Sequence, residues 1–245
     1  MKKKRLWLKI AGALTILFFA LTLFALAKAA KIAKELPDPG QFVANRQISQ
    51  SSKIYDRNDT LLYEIHGEVK RTLISFDEMP KSVKEATIAL EDKNFYEHRG
   101  IDFQGILRAA FRDVTKGRLE GGSSITQQLV KNALLSREKT FTRKFKELVL
   151  TVQIERRLSK EDILKLYLNE IPYGQNAYGV EAAAQTYFGK SAQEITLAES
   201  AYLAALPQRP SYLNPWGTHK DVLDARKNFA LDRMAELGYI SRDEA

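Results

Sequence analysis

The stretch KSVKEATIALEDKNFYEHRG, residues 81–100, marks the point where the chain turns strongly helical. Pro80 precedes it, and Val83, Ala86, Ile88, Ala89 and Leu90 recur at helical spacing, which predicts a buried, alanine-rich helix over 81–92. Its last turn carries Glu91 and Asp92 side by side. A helix C-terminus is the negative end of the macrodipole and disfavours anions, so two carboxylates there need a reason. One is a solvated helix end. The other is a general acid or base, set where its proton affinity can be tuned. His98 follows; standing alone, such a residue is more often a structural hydrogen-bonder than a catalyst. With three His and no Cys in the chain, thiolate sites and disulfides are excluded and a His-rich metal site has little support.

Outward from this stretch, apolar periodicity predicts further helices over 102–115, 124–135, 141–158, 160–170, 177–187, 196–206 and about 218–237. Gly117, Gly121-Gly122, Pro172, Gly189 and Pro207 separate them. On the N-terminal side, Lys53 to Leu62 reads as a short hairpin or extended linker turning at Arg57-Asn58-Asp59, and Ile65 to Ile74 as a further strand. No internal repeat is present. The pattern implies a mainly α-helical globule of about 165 residues behind a short extended or β neck.

The 245 residues carry a formal charge of +8, which suggests a polyanionic partner until the charge is located. Residues 1–34 hold eight basic side chains and no acidic one; the 30 basic and 30 acidic residues beyond them cancel. A nucleic-acid role therefore loses its support. Ile10 to Ala27 is uncharged and, with Leu6, Trp7 and Leu8, long enough to cross a hydrocarbon core of about 30 Å. Lys2 to Arg5 ahead of it would keep the N-terminus cytoplasmic and send the rest outside. A cleaved signal peptide has a shorter apolar region, so an anchor fits better, although Ala27-Lys28-Ala29 leaves cleavage open. Lys28, Lys31 and Lys34 would then meet lipid phosphates or simply snorkel at the helix end.

Three more segments carry chemistry. In EGGSSITQQLVKN, residues 120–132, Ser123 or Ser124 can cap the following helix, and free N–H groups with Lys131 suit a phosphate or pyrophosphate. A capped helix after a flexible turn explains the same residues. In RKFKE, residues 143–147, Arg143 and Lys144 share a helix face with Glu147; this is either a solvated ion-pair face or a carboxylate held by cations beside an anionic substrate. In EDILKLYLNEIPYG, residues 161–174, Ile163, Leu164, Tyr167 and Leu168 form a core face, while Lys165 and Asn169 lie elsewhere and could line a polar pocket.

Taken in order, these segments resemble the five signature motifs of glycosyltransferase family 51, the peptidoglycan glycosyltransferases of class A penicillin-binding proteins and of monofunctional enzymes. The matching stretches are EDKNFYEHRG (91–100), GGSSITQQLVKN (121–132), RKFKE (143–147), KEDILKLYLNEIPYG (160–174) and LAALPQRPSYLNP (203–215). Ser124 stands where the family often has Thr, which keeps the hydroxyl. The likeness covers residues 60–240, after a tail and anchor at 1–34 and a neck at 35–59, and before the start of a linker at 241–245.

The resemblance implies a lysozyme-like helical domain with a smaller membrane-facing lobe, on the outer face of a bacterial cytoplasmic membrane. It implies polymerisation of lipid II onto a lipid-linked growing glycan, with inversion and release of undecaprenyl pyrophosphate. Glu91 looks like the general base for the acceptor 4-hydroxyl, and Glu147 like the second carboxylate. Lys131, Arg143 and Lys144, with Ser123, Ser124 and Thr126 at the helix start, would stabilise the pyrophosphate. Asp92, Phe95, His98, Arg108, Gln127, Gln128 and Asn169 would complete the substrate pocket. No cofactor is required, although a divalent cation, Mg²⁺ or Mn²⁺, could assist through Asp92. Other cell-wall synthesis proteins are the expected partners, and nucleic acid is not.

Ser136-Arg137-Glu138-Lys139 fits the first transpeptidase motif. It lies inside the glycosyltransferase region without any Lys-Thr-Gly in the chain, so it reads as coincidence. Arg226 to Ala245 resembles the helix and linker that precede a transpeptidase domain in bifunctional proteins. A lytic glycosidase of related fold would need an acid but no cationic site, and a silent scaffold would need neither.

Overall fold

The computed structural model describes residues 51–58, 61–65, 69–102, 105, 122–135 and 140–245, together with isolated positions between 12 and 31. Mainly helical architecture is observed, as the periodicity predicts. The anchor expected at 10–27 and the helix expected at 102–115, with Arg108, fall largely outside the described residues. Among the described residues, no helix is long and apolar enough to cross a membrane.

Strands β1 (Ser52–Tyr55) and β2 (Leu61–Ile65) pair antiparallel, with Ser52 opposite Ile65. The Asp56 carboxylate accepts from the Asn58 N–H at 2.8 Å and closes the turn where sequence placed it. Of the strand expected over 65–74, the described residues place Ile65 at the end of β2 and form β3 (Lys70–Arg71). It runs parallel to β5 (Ala177–Tyr178), which pairs antiparallel with β4 (Pro172–Gly174). Two buried contacts tie this strip to the helices. Arg71 pairs with Glu170 at 3.4 Å, and the Asn169 side chain accepts from Ile74 N–H at 3.1 Å while donating to Ile74 C=O at 3.0 Å.

Helix α1 (Lys81–Glu91) is followed by α2 (Ile125–Ala133), α3 (Phe141–Arg157), α4 (Lys160–Glu170), α5 (Val180–Phe188), α6 (Leu197–Ala205) and α7 (Lys220–Glu236). The predicted start of α5 at 177 is wrong for a specific reason. Gly179 adopts φ +83°, and a Cβ there would sit 2.6 Å from the Asn169 carbonyl oxygen, so the chain leaves β5 and turns before the helix can begin.

The core has two parts. Ile125, Leu129 and Val130 of α2 pack with Leu150 and Ile154 of α3 and with Ile163, Leu164, Tyr167 and Leu168 of α4. On the other side, Ala86 and Ala89 of α1 meet Ala204 of α6 and Met234 of α7. Alanines at that seam let the three backbones approach closely. As a result the C-terminus of α1, the N-terminus of α2 and the middle of α7 converge, and the candidate site lies at their junction.

Candidate active site

Glu91, the last residue of α1, is 10% exposed, and both its oxygens accept hydrogen bonds, the pattern of a carboxylate. Oε1 accepts from Arg226 Nη2 on α7 at 2.7 Å, and Oε2 accepts from Gln128 Nε2 on α2 at 2.8 Å. Arg226 Nε also donates to the Ala205 carbonyl at 3.2 Å, so the guanidinium spans the end of α6 and the end of α1. A cation at this position also suits the negative end of the α1 dipole. It supplies what two carboxylates at a helix C-terminus otherwise lack.

Asp92 plays a different part. Its Oδ2 accepts from the Ile125 N–H at 3.1 Å, and its Oδ1 is 2.8 Å from His98 Nε2. His98 Nδ1 accepts from the Gly100 N–H at 3.1 Å, which makes Nε2 the donor to Asp92. Ser124 closes the same knot. It caps α2 by accepting from Gln127 N–H at 3.2 Å, while its hydroxyl donates to the Gly100 carbonyl at 2.5 Å. The Gln127 side chain completes a capping box by accepting from Ser124 N–H at 3.0 Å. The N–H groups expected to be free for a phosphate at the start of this helix are therefore partly taken, by Asp92 and Ser124.

Several residues expected to touch substrate are instead held in the interior. Phe95 is fully buried, with Lys160 Nζ 4.5 Å from its ring centre. Thr126 is fully buried and donates to Glu155 Oε1 at 2.5 Å, and Asn169 is occupied by Ile74. The geometry gives these three side chains bracing contacts within the fold. Arg108 lies outside the described residues.

Two cations, Lys131 and Lys144, remain exposed. Lys144 Nζ lies 2.5 Å from the buried Glu147 Oε1 and 3.5 Å from Ser123 Oγ. Lys131 is exposed on α2, three residues beyond Gln128 and so on the same face. Arg143 Nε is buried and has no hydrogen-bond partner among the described residues. Gln128 Nε2 also reaches the Ser123 carbonyl at 3.4 Å. A continuous polar path thus runs from Glu91 through Gln128, Ser123 and Lys144 to Glu147.

Two phenols back Glu91. Tyr167 and Tyr173 are fully buried; burial pushes both well above the ordinary tyrosine value, and the Glu91 charge adds to it. Tyr167 donates to Gln128 Oε1 at 3.2 Å, and the Tyr173 hydroxyl has no hydrogen-bond partner among the described residues.

Residues 58–235, most of the chain and all of this geometry, match the Transglycosylase family model. The chain belongs to the transglycosylase family. Similar proteins include penicillin-binding protein 1A of Aquifex aeolicus (strain VF5), 45% identical over 98% of this chain and 32% of that protein. Penicillin-binding protein 1A of Rickettsia bellii (strain RML369-C) is 46% identical over 87% of the chain and 27% of that protein. Penicillin-binding protein 1F of Bacillus subtilis (strain 168) is 45% identical over 80% and 27%. The chain thus spans about a third or less of the relatives it matches. Among solved structures, penicillin-binding protein 1A from Haemophilus influenzae covers 81% of this chain and 20% of its own, at 30% identity and a TM-score of 0.46.

Sequence reasoning missed Arg226, which the fold sets against Glu91. It lies 135 positions from Glu91 in an ordinary charged helix, and no local pattern distinguishes it from Lys227 or Arg233. Only the crossing of α7 over α1 brings it to the carboxylate.

Proposed function

We propose that this domain polymerises lipid II into β-1,4-linked glycan, with Glu91 as the general base. The observation that carries the reading is the polar path linking Glu91 to Glu147 through Gln128, Ser123 and Lys144, with the exposed Lys131 on the same helix face as Gln128. A base at one end and cations at the other fit a displacement whose nucleophile is an alcohol and whose leaving group is a diphosphate.

In this mechanism the acceptor 4-hydroxyl loses its proton to a Glu91 oxygen as its own oxygen attacks the anomeric carbon. The bond from that carbon to the diphosphate oxygen breaks, the electron pair leaves with undecaprenyl pyrophosphate, and the configuration inverts. Arg226 and Gln128 each use one lone pair of the carboxylate, which leaves lone pairs on both oxygens for the incoming O–H. Lys144, Lys131 and Arg143 receive the departing charge, and Glu147 fixes Lys144. Asp92, His98, Ser124 and Gln127 hold the start of α2 against the end of α1, so that Gln128 meets Glu91 in register.

We place the domain on the outer face of a cytoplasmic membrane, tethered through residues 10–27, where its lipid-linked donor and acceptor reside. Lipid II polymerisation by wild type and Glu91→Gln tests the reading. Wild type forms polymer and the variant forms essentially none. Degradation of sacculi without polymer, or full activity in Glu91→Gln, refutes it.

A further inference from the structure

Gln128 has two polar atoms and two opposite demands on them. Its Nε2 faces the Glu91 carboxylate at 2.8 Å and the Ser123 carbonyl at 3.4 Å, both acceptors. Its Oε1 faces the Tyr167 hydroxyl at 3.2 Å. If the amide turned over, Oε1 would point at a carboxylate oxygen, and a donor to Glu91 would become a repelling acceptor. A side-chain amide can turn about its last torsion at little intrinsic cost, so something must hold it.

We propose that Tyr167 is a positioning residue for Glu91, acting through the Gln128 amide: its hydroxyl locks Oε1 so that Nε2 always faces the base. The placement suits the task. Tyr167 is fully buried on α4, amid the packing that joins α4 to α2, so its ring cannot swing away. Burial, with Glu91 nearby, also keeps the hydroxyl protonated and able to donate. The three residues come from three helices, α1, α2 and α4, so the lock also sets the distance between the base and the helix that starts beside the cations. Glu91 is thereby held by a donor on each oxygen.

This inference rests on Glu91 being the base, and the test separates the two claims. In the full 245-residue chain, lipid II polymerisation is measured for Glu91→Gln, Tyr167→Phe, Gln128→Met and the Tyr167→Phe/Gln128→Met double variant. Tyr167→Phe lowers kcat by about tenfold, equivalent to ~1.4 kcal/mol, and leaves KM within about a factor of two. Gln128→Met lowers kcat by at least as much, and adding Tyr167→Phe to it changes nothing further, because the amide through which Tyr167 acts is gone. A merely structural tyrosine would lower kcat by the same factor in both backgrounds, which overturns the lock. So does an unchanged kcat in Gln128→Met when Glu91→Gln is inactive, since the base then stands without its amide. If Glu91→Gln polymerises normally, the reading of the base falls and the lock with it.

Discussion

Removal of Arg226 is the sharpest probe of how this site is held. In Arg226→Met the volume and the stem's packing are largely kept, while the 2.7 Å contact to Glu91 and the 3.2 Å contact to the Ala205 carbonyl are lost. A hydrogen bond to a charged group is worth about 1.5–3 kcal/mol, and one to a neutral carbonyl about 1 kcal/mol. Glu91 would be left at the negative end of a helix with one donor, which adds a penalty approaching the ~3–5 kcal/mol of a broken buried pair. The side chains retain 16% and 10% exposure, so water recovers part of that. About 3 kcal/mol is the expected loss, which at ~2–4 °C per kcal/mol for a domain of this size lowers Tm by roughly 6–12 °C. Thermal unfolding followed by circular dichroism in detergent reads it directly. The control is the same change in Glu91→Gln, where no carboxylate is left unpaired. There the cost falls to about 1 kcal/mol or less, a Tm change under about 4 °C. Equal losses in the two backgrounds would show that Arg226 acts as packing alone, and the electrostatic account of Glu91 would be refuted.

Two further outcomes are expected. Lys131→Met removes an exposed cation outside the core, so it shifts stability by no more than ~0.5 kcal/mol yet lowers polymerisation by about a hundredfold; an unchanged polymerisation rate would remove Lys131 from the diphosphate site. Burial, with Tyr202 adding to it, pushes the Tyr187 hydroxyl up to about 12. In the unfolded chain it ionises near its ordinary value of about 10, so the unfolded state binds fewer protons than the folded one between those limits. Stability from this group is therefore complete below about pH 10 and declines as the pH rises toward 12. Tyr187→Phe should flatten the alkaline limb of a urea-unfolding pH series, and an unaltered slope would count against a buried phenol.

The helices were legible because each buries one stripe, and a stripe leaves a period in the sequence. Six expected helices agree with α1–α4, α6 and α7 to within a few residues at each end. The helix expected over 177–187 forms as α5 but starts three residues later, where tertiary contact outweighs local pattern. Ala177-Tyr178 reads as helix on composition, but the close approach of Gly179 to Asn169 commits those two residues to a strand. Glu91, Gln128, Lys144 and Glu147 could be singled out because they sit in dense polar segments. Arg226 could not, because what makes it special is a helix crossing rather than anything beside it in the chain.

The harder lesson lies in which polar residues are already spent. Spacing says that Ser124, Thr126 and Gln127 crowd one helix start; it does not say whose hydrogen bonds they satisfy, nor that Asp92 joins them. In the fold, Asp92 itself occupies the anion position at the N-terminus of α2, accepting from the Ile125 N–H, while Ser124 takes the Gln127 N–H. A diphosphate arriving there would meet a carboxylate already in place. The dipole of α2 is used to bind the end of α1, so in the proposed mechanism a departing diphosphate is met by side-chain charge on Lys131, Lys144 and Arg143. That helix start is the joint that puts Gln128 and Glu91 in register, and in the proposed mechanism the two duties, holding the base and receiving the leaving group, fall on separate residues of adjoining helices.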